Sequence, residues 1–395
     1  SSDMKVSRQW LQNCFEAPLP DAQGLADALT FHAFEIDGIE QASSDFMLDV
    51  KVTPNRGHDC LSHRGIAKEL SAILKLPLKQ QYDPFGYKPD FSKAAEGVSV
   101  SIQRSDLCKR YIAGYIKGVK VGPSPEWLRQ GLEVIGQRSI NNIVDATNLV
   151  MFNIGQPMHA FDAHKLGSLQ LGVRVARAGE KLVGLDQKEY ALADSMLVIT
   201  AGDAPVGIAG IKGGMPAAID EQTTDIVLES ANFDGVCVRK AAQALKLRTD
   251  ASSRFEQGLS PELAGYGMAQ AAHLIASIAG GEVAGYVDSY PEPQKPMYAN
   301  VTVEKVNKVL GTALTSADVA DAFARLGLPY KEESGVFEVS VPFERLDLSI
   351  PEDLVEEVAR IVGYDAIPST PLPPAEAKPE INKNFAAAEA ARERL

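Results

Sequence analysis

Cysteine is scarce in this chain: Cys14, Cys60, Cys108 and Cys237 are the only four in 395 residues, and no two form a C-x-x-C pair. That spacing argues against a disulfide framework and against a structural zinc site, and it fits a reducing cytoplasm. No apolar run approaches the about 18–20 residues needed to span a bilayer, so no membrane segment is expected. There is no basic-then-apolar opening of the signal-peptide kind, and Ser1-Ser2-Asp3 reads as residues added ahead of a native Met4. Basic side chains are outnumbered, 39 Lys and Arg against 52 Asp and Glu, for a net charge of -13. Indiscriminate nucleic-acid binding is thereby disfavoured, while a local basic surface receiving one RNA end is not. The glycine-rich run Gly207-Ile208-Ala209-Gly210-Ile211-Lys212-Gly213-Gly214 contains neither G-x-x-x-x-G-K-[ST] nor G-x-G-x-x-G, which leaves tight turns and close packing as its reading.

What is present is the balance of a globular protein, 45% hydrophobic and 23% charged, in a chain long enough for two to four domains. Trp10, Leu11 and Phe15, then Leu25, Ala28 and Leu29, have helical spacing, and residues 34–40 alternate as a half-buried strand does. A polar stretch, 41–45, leads to a second strand at 48–52. The loop 53–60 follows, then a helix carrying Ile66, Leu70, Ile73 and Leu74. Pro77 and the Pro- and Gly-rich run 82–89 mark a boundary. From 98 to 286 the pattern is mixed, with strands expected at 98–102, 111–116, 169–175, 196–200 and 226–229, and helices at 125–133, 237–245 and 261–279. After a second Pro-rich linker at 290–296 come a short helix at Val303, Val306 and Leu310, a helix opened by a Thr315/Asp318 capping box, an alternating strand at 337–341 and a helix with Leu354, Val358 and Ile361. The expected fold class is therefore α+β and multidomain. An α+β N-terminal domain would span 1–80, a larger α+β domain 81–290 and a winged-helix-like domain 297–370, with 371–395 opening a further domain that is cut short.

Two clusters invite metal readings. His58, Cys60 and His63 match no usual zinc spacing and are read as a structured loop. The carboxylates Asp347, Asp353, Glu356 and Glu357 suit a hard cation such as Mg2+, with Asp353 and Glu357 on one helical face; the alternative is a negative first turn complementing the helix dipole.

Five stretches, in order, resemble the beta subunit of bacterial-type phenylalanyl-tRNA synthetase. They are Arg138-Ser139-Ile140 through Val144-Asp145-Ala146-Thr147-Asn148, Gly155-Gln156-Pro157-Met158-His159-Ala160-Phe161-Asp162, Leu228-Glu229, the run from Arg248-Thr249-Asp250 to Gly258, and Asp353-Leu354-Val355-Glu356-Glu357-Val358-Ala359-Arg360. Relative to that family the chain is expected to be shortened: 41–45 stands where an oligonucleotide-binding barrel is inserted, and the synthetase-like and anticodon-contacting domains are not in it.

The resemblance implies an editing site in 81–290. A pocket for phenylalanine rejects tyrosine only weakly, and a second, hydrolytic site corrects the error. Glu229 would accept the phenolic hydrogen bond. His159 would hold the terminal adenosine or orient water, and Arg138 would meet phosphate. Gly213 would allow close backbone approach, Thr249 and Ala251 would line the pocket, and Thr147 and Asn148 would add polar contacts. The implied catalytic set is thus His159, Glu229 and Thr249, and the substrate-binding set Arg138, Thr147, Asn148, Gly213 and Ala251. Without the family, His159 reads first as a packed or capping residue and Glu229 first as a surface carboxylate at a strand end. A triad of His159, Asp162 and Ser139 rests on sequence proximity alone. In the family the acidic set belongs to a Mg2+ site shared with the alpha subunit.

The implied partners are that alpha subunit, in a heterotetramer of two alpha and two beta, and tRNA(Phe). ATP would be used by the complex and not bound by this chain. The expected function is a phenylalanine–tRNA ligase subunit with an editing hydrolase site, cytoplasmic, the isolated chain not aminoacylating. The alternative is a non-catalytic RNA-binding or assembly module derived from that subunit.

Overall fold

The computed structural model describes residues 2–80, 83–372 and 382–394. Of the features read from sequence, Tyr82, most of the Pro-rich run ahead of the last helix and Leu395 lie outside the described residues.

The chain opens with a strand, Ser2–Ser7, followed by helices Arg8–Asn13 and Ala22–His32 and the hairpin strands Glu35–Ala42 and Asp45–Val52. The order across this antiparallel sheet is first, third, second strand. The two hairpin strands are joined through Ser43-Ser44, with Ser43 in the left-handed region that a tight turn requires. The opening strand is absent from the helix–helix–strand expectation. Its apolar positions, Met4 and Val6, are too few to show a period, and the pairing that makes it a strand comes from residues 47–52. Met4, only 1% exposed, is thus core. The alternate residues Leu48, Val50 and Val52 point inward with Met4 and Val6 onto Leu25, Leu29, Ile66 and Leu70. The same apolar cluster takes in Leu128 and Leu132 from the helix Glu126–Val134 and Met151 and Phe152 from Asn142–Ile154.

The largest core lies between a four-stranded and a five-stranded sheet. The four-stranded sheet runs Glu282–Ser289, Cys108–Lys117, Asp225–Phe233, Met158–Asp162. The five-stranded sheet runs Lys212–Gly213, Ala204–Ile208, Leu197–Ala201, Gln170–Val175, Ser99–Ile102, its last pair parallel. The strand Asp225–Phe233 is buried almost throughout because both its faces are covered. On one side Ser230 donates to the Ala264 carbonyl of the helix Pro261–Ala279 (2.7 Å). On the other, Phe233 packs against Phe255 and the turn at Gly210.

A third core is built by the three-stranded sheet Met297–Thr302, Val336–Val341, Tyr330–Glu333 and the helices Val303–Leu310, Ser316–Arg325 and Pro351–Val362. The Thr315/Asp318 capping box is present, with Asp318 reaching back to the Thr315 N–H (2.7 Å). The helix Lys383–Arg394 is exposed along its length.

Candidate functional site

Antiparallel pairing of Met158–Asp162 with Asp225–Phe233 sets His159 directly opposite Glu229. Directly opposed residues of an antiparallel pair share a face, so imidazole and carboxyl project together toward the glycine-rich strand pair Ala204–Ile208 and Lys212–Gly213. Glu229 therefore stands in the middle of a buried strand, 8% exposed, and not at a strand end. The His159 ring lies against Gly213, where a Cβ would overlap it, and meets Phe161 edge-on at 4.5 Å between centroids. Gly210, with φ of 71°, makes the turn between the two short strands.

A half-open cavity of about 70 Å³ lies here, walled by His159, Phe161, Ile208, Gly213, Glu229 and Ala251 among others. Its electrostatics follow from burial. Desolvation pushes the Glu229 carboxyl up to about 7, against the hydrogen bond that the Tyr111 hydroxyl donates to Oε2 (2.8 Å), which favours the ionised form. Desolvation also lowers His159 to about 4, so its imidazole is neutral at pH 7 and one ring nitrogen is an acceptor.

Thr249 does not face the cavity. It is the N-cap of the helix Asp250–Phe255, its hydroxyl accepting from the Ser252 N–H (3.1 Å) and donating to the Ile211 carbonyl (3.1 Å). Ala251, the second residue of that helix, forms a portion of the wall. Arg138 is exposed and has no ion-pair partner among the described residues. Thr147 and Asn148 lie on the helix Asn142–Ile154, the Thr147 hydroxyl donating to the Val144 carbonyl (2.8 Å), and neither lines the cavity. No triad assembles. The Ser139 hydroxyl donates to Asp145, and Asp162 accepts from Thr223 and from the N–H groups of His164 and Lys165. Sequence reasoning did not single out Tyr111, Phe161 or Phe255. Tyr111 reaches Glu229 only through strand pairing 118 residues apart, so no local pattern points to it.

The acidic set lines a second, larger cleft of about 620 Å³. Its carboxylates are already engaged. Asp347 accepts from Arg345 (3.0 and 2.7 Å) and lies 3.0 Å from His58 Nε2. Glu357 is bidentate with Arg360 (both 2.7 Å) and 3.0 Å from Arg345. Asp353 caps its own helix through the N–H groups of Ser349 and Ile350 (2.8 and 2.9 Å), while Glu356 is exposed. Among the described residues no three His, Cys, Asp or Glu side chains are grouped to hold a metal ion. Within this chain Asp347 and Glu357 are held in ion pairs, Asp353 caps a helix and Glu356 is exposed, so the four do not by themselves form a cation cage; the magnesium site expected from the resemblance is one shared with the alpha subunit. His63 is equally occupied, its Nε2 accepting from the Ser7 N–H (3.0 Å), its Nδ1 donating to the Phe152 carbonyl (2.9 Å) and its ring stacked on Trp10 at 3.8 Å.

Residues 107–280 match the B3/4 domain, and residues 299–364 match the tRNA synthetase B5 domain. The phenylalanine–tRNA ligase beta subunit of Geobacillus kaustophilus is 40% identical over 336 residues, covering 85% of this chain and 41% of that protein. That of Moorella thermoacetica is 42% identical over 353 residues, 89% of this chain and 42% of that protein. Over most of its length the chain is similar to phenylalanine–tRNA ligase beta subunits. It spans about two fifths of the length of the relatives it matches. The same fold is seen in an N-terminal fragment of the phenylalanyl-tRNA synthetase beta subunit from Pyrococcus horikoshii, at TM-score 0.51 and 12% identity, covering 91% of this chain and 99% of that one. The cavity residues His159, Gly213, Glu229 and Ala251 all fall within the B3/4 match. Most of the third core and all four residues of the acidic set fall within the B5 match. No helix among the described residues is long and apolar enough to cross a membrane.

Proposed function

We propose that this chain carries the proofreading site of a phenylalanine–tRNA ligase and hydrolyses tyrosine wrongly esterified to tRNA(Phe). The observation supporting it is neutral His159 and buried Glu229 side by side on one wall of a cavity whose facing wall is glycine-rich. An ionised Glu229 accepts a hydrogen bond from a tyrosyl phenol. A phenylalanyl ring in the same place leaves that buried acceptor unpaired, which is the kind of loss that gives strong discrimination. His159 orients a water, or the ribose of the terminal adenosine, through its acceptor nitrogen. Water adds to the ester carbonyl, the bond to the ribose oxygen breaks, and that oxygen leaves with a proton. Arg138, exposed and unpaired among the described residues, is suited to an RNA phosphate.

Charging of tRNA(Phe) with ATP and Mg2+ is assigned to the alpha subunit of an assembled two-alpha, two-beta enzyme in the cytoplasm, and no step of it to this chain. A second reading, a binding module without catalysis, is favoured by one observation. Among the residues that line the cavity there is no serine, threonine or cysteine nucleophile, and no triad assembles around His159.

The deciding experiment is deacylation of Tyr-tRNA(Phe) by the chain, with Phe-tRNA(Phe) and Glu229→Ala as controls. Selective clearance of the tyrosyl ester, with selectivity lost in the variant, is expected. Tight RNA binding without clearance would favour the binding module.

A further inference from the structure

Glu229 has a partner that the proofreading reading does not use. Tyr111 is fully buried, and its phenol donates to Glu229 Oε2 at 2.8 Å, so a phenol from the chain itself already occupies one oxygen of the carboxyl. The two side chains come from adjacent antiparallel strands, Tyr111 standing opposite Ala231, two residues beyond Glu229 and therefore on the same face. A hydroxyl held in this way is a fixed donor, since its ring is locked by the core on every side.

We propose that Tyr111 is a positioning and specificity-determining residue, pinning Oε2 of Glu229, favouring the carboxylate over the acid and leaving the other oxygen to the cavity. The proposal rests on the reading of Glu229 as the acceptor for a tyrosyl phenol. Without Tyr111 a desolvated carboxyl holds its proton and can present an O–H donor to the cavity, which no longer distinguishes a phenol from a plain ring by acceptance. With Tyr111 in place the anion retains one charge-assisted bond inside the fold and a free acceptor outside it.

The other ionisable groups around Glu229 do not supply this. His159 faces it from the neighbouring strand and is neutral at pH 7. Cys108, at the start of the Tyr111 strand, is a buried thiol pushed above its ordinary range by desolvation. Lys212, across the cavity, is paired with Asp186 at 2.9 Å. The helix Asp250–Phe255 contributes only Ala251 and Phe255 to the wall.

The test is a 13C NMR titration of the Glu229 carboxyl in glutamate-labelled chain, the resonance assigned by its disappearance in Glu229→Gln, run for wild type and Tyr111→Phe. Tyr111→Phe keeps the ring and removes only the donor, and its melting temperature checks the fold. Glu229 is expected to titrate about one pH unit higher in the variant, a tenfold gain in proton affinity. If the wild-type chain clears esters, its tyrosyl-over-phenylalanyl preference at pH 7 falls about fivefold in the variant, as the ionised fraction does, and recovers at higher pH. An unchanged or lower midpoint overturns the proposal whatever the clearance assay gives. A displaced midpoint with no clearance by wild type supports Tyr111 as the residue holding the carboxyl and overturns the hydrolase reading alone.

Discussion

At Gly213 the bare Cα lies against the His159 imidazole, and a methyl group there would overlap Cε1 and Nε2. The Gly213→Ala chain therefore has to push His159 off its position or separate the strands around it, a strain of about 1–3 kcal/mol. Because displacement of a reacting group by about 1 Å costs about 10²-fold in rate, clearance of Tyr-tRNA(Phe) is expected to fall by about that factor in a chain that still folds. Near-wild-type clearance would remove His159 from the chemistry. The two ionisable groups also predict a pH profile. With Glu229 at about 7 and His159 neutral above about 4, selective clearance should rise with a midpoint near pH 7 and not near the 4.5 of an ordinary glutamate. The stability contributions have opposite signs. Glu229, raised, stabilises fully below its unfolded value and loses that contribution as pH rises through about 7. His159, lowered, stabilises above its unfolded value and loses that contribution as pH falls through about 4. Both residues were readable in the sequence only through the motifs that contain them. Composition and spacing favoured a structural reading of each, and the pairing that makes them one site is a property of strand register.

Secondary structure was readable where it announces its own ends. Pro261–Ala279 has Ser260 as its cap, Pro261 in its first turn and nineteen residues of helical pattern, and it was located to the residue. Met158–Asp162 has five residues and no alternation, and Asn142–Ile154 is apolar on most of its circumference, so neither showed a period although together they carry or flank the site. The short helix Asp250–Phe255 gives the prediction at this scale. It is held at its start by the Thr249 hydroxyl, which also ties it to Ile211, and near its end by Arg254, whose guanidinium donates to the Leu61 and Asp250 carbonyls (both 3.0 Å) over the Phe152 ring. Thr249→Val keeps the shape and removes the cap, at about 1 kcal/mol. The melting temperature should drop by a few degrees, and clearance should fall further than that loss of stability explains, because Ala251 moves with the helix. Thr249→Ser should restore both. Equal clearance by valine and serine variants would mean that the helix position does not matter to the site.

Across the whole molecule, the N-terminal and C-terminal units meet through buried charge. Arg56 pairs with Asp59 and Glu69 (both 2.7 Å), Arg360 pairs with Glu69 and Glu357, and Arg345 pairs with Asp347 (2.7 Å) and Glu357 (3.0 Å). The acidic members of the C-terminal side stood out in the sequence as a cluster, but Glu69, 291 residues from its partner Arg360, did not. Burial alone would raise these carboxyls. The guanidiniums outweigh it, Arg360 and Arg56 holding Glu69, and Arg345 and Arg360 holding Glu357, below the usual range. At the edge of the same contact Glu344 is lowered to about 2 by Lys68 and Arg64 despite its burial. Depressed carboxyls contribute stability that is present above their unfolded values, near 4, and is lost as pH falls through the folded ones. The melting temperature should accordingly be little affected by this network from pH 8 to 5 and fall steeply below about pH 4. Arg360→Met leaves Glu69 and Glu357 short of a counter-charge in a dry interface, at about 3–5 kcal/mol. The triple change Arg360→Met with Glu69→Met and Glu357→Met removes the charges together and should recover much of that loss, since groups in one network do not add. A triple variant as unstable as the sum of its single changes would show that the arginines act through packing of their stems and not through charge.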